Sequence, residues 1–164
     1  TFTLDYFYRK ERIMLDIIDK FDGEYSFLSN FYNSPIIIGG INYPTVEHAF
    51  QAQKTFSNEE RLDIANSATP GIAKRKGRKI ILRRDWEQIK DNVMKFCLRK
   101  KFTEHLDLQK KLLETGDTIL IEGNTWGDTY WGMCAGIGEN KLGQLLMKIR
   151  EEIITNGGNN EPTE

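Results

Sequence analysis

The sequence has few of the residues that bind metals or lock a chain with disulfides, and it has no run that would span a membrane. Two of its 164 residues are cysteine and two are histidine. Cys97 and Cys134 form no CxxC pair, which argues against a disulfide framework. Together with His48 and His105 they show no zinc-ligand spacing, so no metal site is expected and both thiols are read as core residues. No stretch approaches the ~18 apolar residues of a membrane span. The N-terminus lacks a basic-then-apolar signal pattern, so the expected setting is the cytoplasm, with no membrane partner. The net charge of -1 gives no large sequence-independent attraction to nucleic acid. No P-loop is present. The glycines from Gly136 to Gly143 lack G-x-G-x-x-G spacing, and Ser29 and Ser34 lack a nucleophile-elbow context.

The length suits one domain with a real core, and helical patterns dominate it. Thr1 to Tyr8 is a strand candidate. Ile36-Ile37-Ile38, Gly39-Gly40 and Ile41-Asn42-Tyr43 read as a hairpin, whose glycines supply the positive φ of a tight turn. Thr45 caps a helix expected to run to about Phe56. Ser57-Asn58-Glu59-Glu60 is a capping-box pattern. Thr69-Pro70 opens a third helix that Gly77 terminates. The helix from Asp85 carries Trp86, Ile89, Val93, Phe96 and Cys97 as one buried stripe. Leu106 to Thr115 is a short helix stopped by Gly116, and Thr118 to Glu122 is a strand candidate. Asn140 is expected to cap a last helix with Leu142, Leu145, Leu146, Ile149 and Ile153 on one face. The fold class is therefore mainly α with a small β component (α+β). Residues 1–20 are read as an N-terminal extension or strand, with residues 1–13 preceding Met14. Residues 21–154 form the domain, and 155–164 a disordered tail.

Three groups of residues carry chemistry. Glu47, Phe50, Gln51 and Lys54 share one helix face over two turns, about 10 Å. A carboxylate and an ammonium on one face suit a site with a cationic carbon at one end and a phosphate at the other. The competing reading has Glu47 complementing the helix dipole and Lys54 as solvated surface. The positive end of the helix predicts an ionised Glu47, suited to stabilise positive charge or activate water rather than to donate a proton. In the second group, Asn124 to Gly132, three large aromatics surround Asp128 in a glycine-broken loop. Their faces can stack on a flat ring, or Trp126 and Trp131 can plug the core while Asp128 caps a turn. The third group is the basic run Lys74-Arg75-Lys76-Gly77-Arg78-Lys79 with Arg83-Arg84. Gly77 allows close backbone approach and Arg78 can grip phosphate in a fork, although most of these charges suit a solvent-facing surface.

Taken together, Phe27-Leu28-Ser29-Asn30-Phe31-Tyr32 and Tyr43 to Lys54 resemble the NADAR family, named for a proposed link to NAD and ADP-ribose and including YbiA-like N-glycosidases. Thr69-Pro70-Gly71, Gly77-Arg78, Asp85-Trp86, Asp128, Trp131-Gly132 and the Asn140-to-Arg150 helix support the resemblance, which covers about Phe21 to Arg150. It implies a compact, mostly helical domain that hydrolyses an N-glycosidic bond without metal or redox cofactor. The implied substrates are phosphorylated ribosylamino-pyrimidines of riboflavin synthesis, or ADP-ribosyl adducts on guanine, free or in nucleic acid.

The same resemblance makes Glu47 the essential glutamate, with Asp128 sharing the acid/base work or positioning a sugar hydroxyl. Trp86 and Trp131 would wall the pocket beside Gly132, and Asn30, Lys54 and Arg78 would contact substrate. Trp126 belongs to a loop that departs from the family pattern, as an added or replaced stacking wall. Two other readings are a non-catalytic ADP-ribose-binding module and a DNA-binding protein that uses the basic run.

Overall fold

The computed structural model describes residues 16–158. The expected strand at Thr1 to Tyr8 and the end of the expected tail lie outside them. The architecture is the α+β single domain that the sequence patterns predict. Its strands are β1 (Ile17–Ile18), β2 (Ile36–Ile38), β3 (Ile41–Tyr43), β4 (Ile119–Leu120), β5 (Gly123–Asn124) and β6 (Met133–Cys134). The helices are α1 (Val46–Ala52), α2 (Asn58–Ala65), α3 (Pro70–Gly77), α4 (Trp86–Glu104), α5 (Leu106–Glu114) and α6 (Lys141–Gly158), and a 3-10 helix covers Gly23–Leu28. β2 and β3 form the expected antiparallel hairpin, with Gly39 and Gly40 both at positive φ. β1 pairs in parallel with β4, so residues read as part of an extension are joined to the core. β5 pairs in parallel with β6.

Caps set the helix starts. Thr45, Ser57 and Thr69 each accept a hydrogen bond from the backbone N–H three residues on, satisfying an amide that the first turn leaves open. α1 is shorter than expected and ends at Ala52. Beyond it Thr55 takes up Glu60 and Arg61, which turns the chain into α2. The buried stripe of α4 is also shifted. Trp86, Met94, Cys97, Leu98, Lys101 and Phe102 are buried, whereas Phe96 is 48% exposed. α6 buries Leu142, Leu146 and Ile149 with Leu145 and Ile153 partly covered. It continues through residues 155–158, which the sequence reading assigned to the tail. Cys134 is only half-buried, not a core thiol.

Lys101 stands in this core with no exposed surface. Its Nζ donates to the Ser29 carbonyl at 2.9 Å and lies 5.4 and 5.2 Å from the rings of Tyr32 and Phe102. It thereby fastens α4 to the 29–32 segment. Burial pulls its pKa from 10.5 down to about 7, because a desolvated ammonium is disfavoured. Between those values the unfolded chain binds more protons than the folded one, so this residue makes stability rise with pH. Relative to Lys101→Met, the wild-type protein is expected to gain about 2 kcal/mol between roughly pH 7 and pH 9. Urea unfolding of both proteins at the two pH values checks it, and a pH-independent difference contradicts it.

Candidate active site

α1, α3, the 29–31 segment and the loop after β4 enclose a cavity of about 680 Å³. That lies within the ~300–1,000 Å³ usual for small-molecule sites. Its lining includes Asn30, Glu47, Lys54, Arg78, Trp126, Asp128 and Trp131, so the structure brings together seven of the residues singled out from sequence. Trp86 and Gly132 do not line it. Trp86 is buried behind Phe50, with ring centroids 5.1 Å apart, and therefore supports the wall instead of forming it. Gly132 is a close-approach point: a Cβ there would meet the Glu122 carbonyl at 2.2 Å and Glu122 Oε2 at 3.1 Å.

Glu47 sits in the first turn of α1. The helix start is fixed by Thr45 and by a buried histidine. His48 Nε2 faces the Ser67 carbonyl at 3.1 Å, so it donates there. Its Nδ1 then accepts from Thr45 Oγ1 at 2.8 Å. Burial lowers the His48 pKa, which keeps the ring in this neutral, structural state. The Glu47 backbone N–H donates to the Asn30 carbonyl at 3.0 Å, tying the helix to the 29–31 segment. Glu47 is 5% exposed. Its partner is an amide, Gln51 Nε2 at 2.8 Å, not a cation. α3 reaches this point because Gly77 has no side chain: a Cβ there would lie 1.9 Å from Gln51 Oε1. The closeness that the sequence reading reserved for phosphate at Gly77 is thus used for helix packing.

Burial dominates the electrostatics of the Glu47 carboxyl. Burial raises the Glu47 pKa, opposed by the Gln51 hydrogen bond and by Lys74 and Lys54, and reinforced by Asp128. Desolvation is the largest of these influences. Glu47 therefore holds a proton more readily than a surface glutamate, and when ionised it is a stronger base. Lys54 is also affected: burial lowers its pKa, against the pull of Glu47.

The aromatic loop both caps a turn and lines the cavity. Asn124 closes it by donating to the Asp128 carbonyl at 2.7 Å and accepting from the Asp128 N–H at 3.0 Å. Asp128 Oδ1 accepts from the N–H groups of Tyr130 and Trp131 at 3.2 and 2.9 Å, so the residue caps a turn and lines the cavity at once. Trp131 meets Phe50 edge-on at 5.4 Å. Trp126 is 65% exposed, which rules it out as a core plug.

The basic run is sorted by geometry. Lys74 on α3 and Arg78 at its C-terminal cap, four residues on, reach the cavity. Lys76 pairs with Asp63 at 2.6 Å. Arg83 forks onto Asp85 at 2.6 and 2.8 Å and stacks on Phe56.

Glu122 was missed as a site residue. It lines the cavity, and burial together with Asp128 and Glu47 pushes its pKa up to about 7 against Lys74. It lies between β4 and β5, strands of two residues each, too short for a period to flag it. Among the described residues, Asn30 Oδ1, Gln51 Oε1, Glu122 Oε2 and Gln53 Nε2 are buried without a hydrogen-bond partner. The first three belong to residues lining this one cavity. Buried polar groups are ordinarily satisfied, and such orphans concentrate where a protein binds something else.

The NADAR domain pattern matches residues 6–154. The chain belongs to the NADAR family. It is 40% identical over 151 residues to the N-glycosidase YbiA of Escherichia coli, covering 88% of this chain and 94% of that protein. An N-glycosidase of Nostoc punctiforme is 41% identical over 135 residues, covering 79% and 86%. A riboflavin biosynthesis protein of Vibrio vulnificus is 38% identical over 136 residues, covering 80% of this chain and 36% of that longer protein. The solution structure of E. coli YbiA superposes with a TM-score of 0.81 at 37% identity, covering 95% of this chain and 96% of the other. The NADAR family's fold is therefore the one observed.

Among the described residues no helix is long and apolar enough to cross a membrane, and no group of three potential ligands gathers for a metal.

Proposed function

We propose that this chain is an N-glycosidase that hydrolyses the C–N bond between a phosphorylated ribose and an amine-bearing base, acting in the cytoplasm. The observation that carries the reading is the buried Glu47 carboxyl, held by an amide and lining a cavity whose other residues include Lys54, Lys74 and Arg78. Stretching the C–N bond places positive charge on the anomeric carbon, and a carboxylate in a water-poor cavity stabilises that charge strongly. Glu47 then takes a proton from the attacking water, whose oxygen bonds to the anomeric carbon. Its raised pKa suits this step. Asp128 positions a sugar hydroxyl through the oxygen its turn leaves free. Lys54, Lys74 and Arg78 hold phosphate, and Arg78 brings a planar fork to that task. Asn30 and the faces of Trp126 and Trp131 complete the grip on sugar and base.

The ribosylamino-pyrimidine phosphates of riboflavin synthesis are the first substrate class, in line with the name of the Vibrio relative. ADP-ribosyl guanine, free or carried on nucleic acid, is the second. Incubation with one member of each class, read by mass spectrometry, is expected to release free base from the pyrimidine substrate. Tight binding of both without release of either base would make the protein a binding module instead.

A further inference from the structure

A second cavity of about 660 Å³ adjoins the first, and the two share Ser29, Glu122 and Trp126. We infer that the second cavity is the leaving-group chamber, which takes a flat amino-substituted heterocycle against Trp126, and that Glu122 on the shared wall protonates the departing nitrogen. The inference rests on the glycosidase reading for its chemistry, but the chamber itself is defined by geometry.

The two cavities differ in charge. The first sets Lys54, Lys74 and Arg78, the cations suited to phosphate, against Glu47, Asp128 and the shared Glu122. The second has Asp19 and Asp22 beside Lys20, with Phe21, Ile121 and Met133 as apolar wall. Acidic groups together with apolar side chains match the ring amino groups and flat faces of a diaminopyrimidine. A ribosylamino-base lying across the shared wall therefore puts its phosphate among the cations and its amino groups near the carboxylates. Its glycosidic nitrogen then lies at Glu122.

Glu122 is built to stay put. Its N–H donates to Asn140 Oδ1 at 3.0 Å, and its carbonyl accepts from the Met133 N–H at 2.9 Å. Asn140 adopts the rare left-handed conformation, φ 51°. It gives its amide to the Leu120 carbonyl at 2.9 Å, so its side chain serves Glu122 and β4 instead of capping α6 as the sequence suggested. Gly132 leaves room for the carboxyl, whose Oε2 has no partner among the described residues. The charged groups around it are Asp128, Glu47 and Lys74, and the balance of burial and charge brings its pKa to about 7. A protonated fraction therefore exists at neutral pH.

The step balances without a further reactant. The C–N bond breaks, and its electron pair goes to nitrogen. Glu122 gives nitrogen its proton, and water adds to the anomeric carbon while Glu47 accepts the water's proton. Exchange with solvent returns both carboxyls to their starting states. Because the acid form of Glu122 is the active one, turnover falls as pH rises through about 7.

The test compares wild type with Glu122→Gln on a ribosylamino-pyrimidine phosphate from about pH 5 to about pH 9, with ribose phosphate affinity as control. The variant is expected to lose about 100-fold in kcat below neutrality and to lack the alkaline limb, while ribose phosphate binding changes less than about two-fold. Wild-type turnover in the variant, or an unchanged limb, overturns the acid role. A second arm needs no turnover. Diaminouracil and ribose phosphate should bind together, and Asp19→Lys at the exposed rim should weaken only diaminouracil, by about ten-fold. Competition between the two probes overturns the chamber. Wild-type protein that releases no base would defeat the glycosidase reading and the acid role, while the two-probe measurement still decides the chamber.

Discussion

Glu47→Gln is expected to abolish turnover, by at least about a thousand-fold, and to leave the fold intact. The glutamine keeps the shape and can still accept from Gln51 Nε2 through its carbonyl oxygen. The backbone bond from residue 47 to Asn30 is unaffected. What disappears is the negative charge beside the anomeric carbon and the ability to take a proton from water. The folded protein resists ionising this carboxyl, because burial raises its pKa. Unfolded chains ionise it first, so Glu47 makes stability fall as pH rises from its ordinary value toward its folded one. The variant should therefore be as stable as the wild type at neutral pH, or more so. Active sites commonly trade stability for function in this way. Steady-state kinetics together with thermal unfolding checks both halves. A variant that loses activity only because its Tm has collapsed would contradict the account.

Gly132→Ala should be nearly as damaging, for a different reason. The new methyl would lie 2.2 Å from the Glu122 carbonyl and 2.8 Å from Asn124 Nδ2. Neither group can yield freely. The Glu122 carbonyl accepts from Met133, and Asn124 closes the loop onto Asp128. Overpacking of this kind costs about 1–3 kcal/mol, and a backbone obstacle puts this case near the upper end. That corresponds to a fall in Tm of roughly 6–12 °C for a domain of this size. Displacing Glu122 and Asp128 together should also lower kcat by about 100-fold or more, because an error of ~1 Å in a positioned group is enough. Ribose phosphate affinity should hold better, since Lys74 lies on α3, Arg78 at its C-terminal cap and Lys54 just beyond α1, on elements other than this loop. Near-native kinetics and Tm would show that the loop relaxes around the methyl without moving the site.

The sequence revealed those parts of the site that repeat with a helix. Thr45 announces the start of α1, and the spacing places Glu47 and Gln51 on one face of it, while Lys54, expected on the same face, follows the helix end at Ala52. All three line the cavity. Lys74 and Arg78 could be picked out of their run only once packing showed which turn of α3 meets the cavity, because charge alone does not distinguish neighbours. Trp86 illustrates the opposite failure. An apolar stripe identifies a buried tryptophan, but not whether it faces a ligand or stands behind Phe50, where it is found. Phe96 sits at a stripe position yet is half-exposed, since α4 turns Met94, Leu98 and Phe102 inward. Glu122 and Asn140 had no local signature. Their roles come from tertiary hydrogen bonds across 18 residues and from a left-handed backbone that favours glycine over the asparagine found there. The helix end that favours an ionised Glu47 is a local effect legible in the sequence, whereas the desolvation that raises its pKa depends on everything packed around the residue.

The most direct measurement is the release of free base from a ribosylamino-pyrimidine phosphate by wild-type protein and Glu47→Gln, followed by mass spectrometry at equal protein concentration. The account predicts stoichiometric base and sugar phosphate with the wild type, and none above background with a folded variant that still binds ribose phosphate. Equal release by both proteins would contradict it.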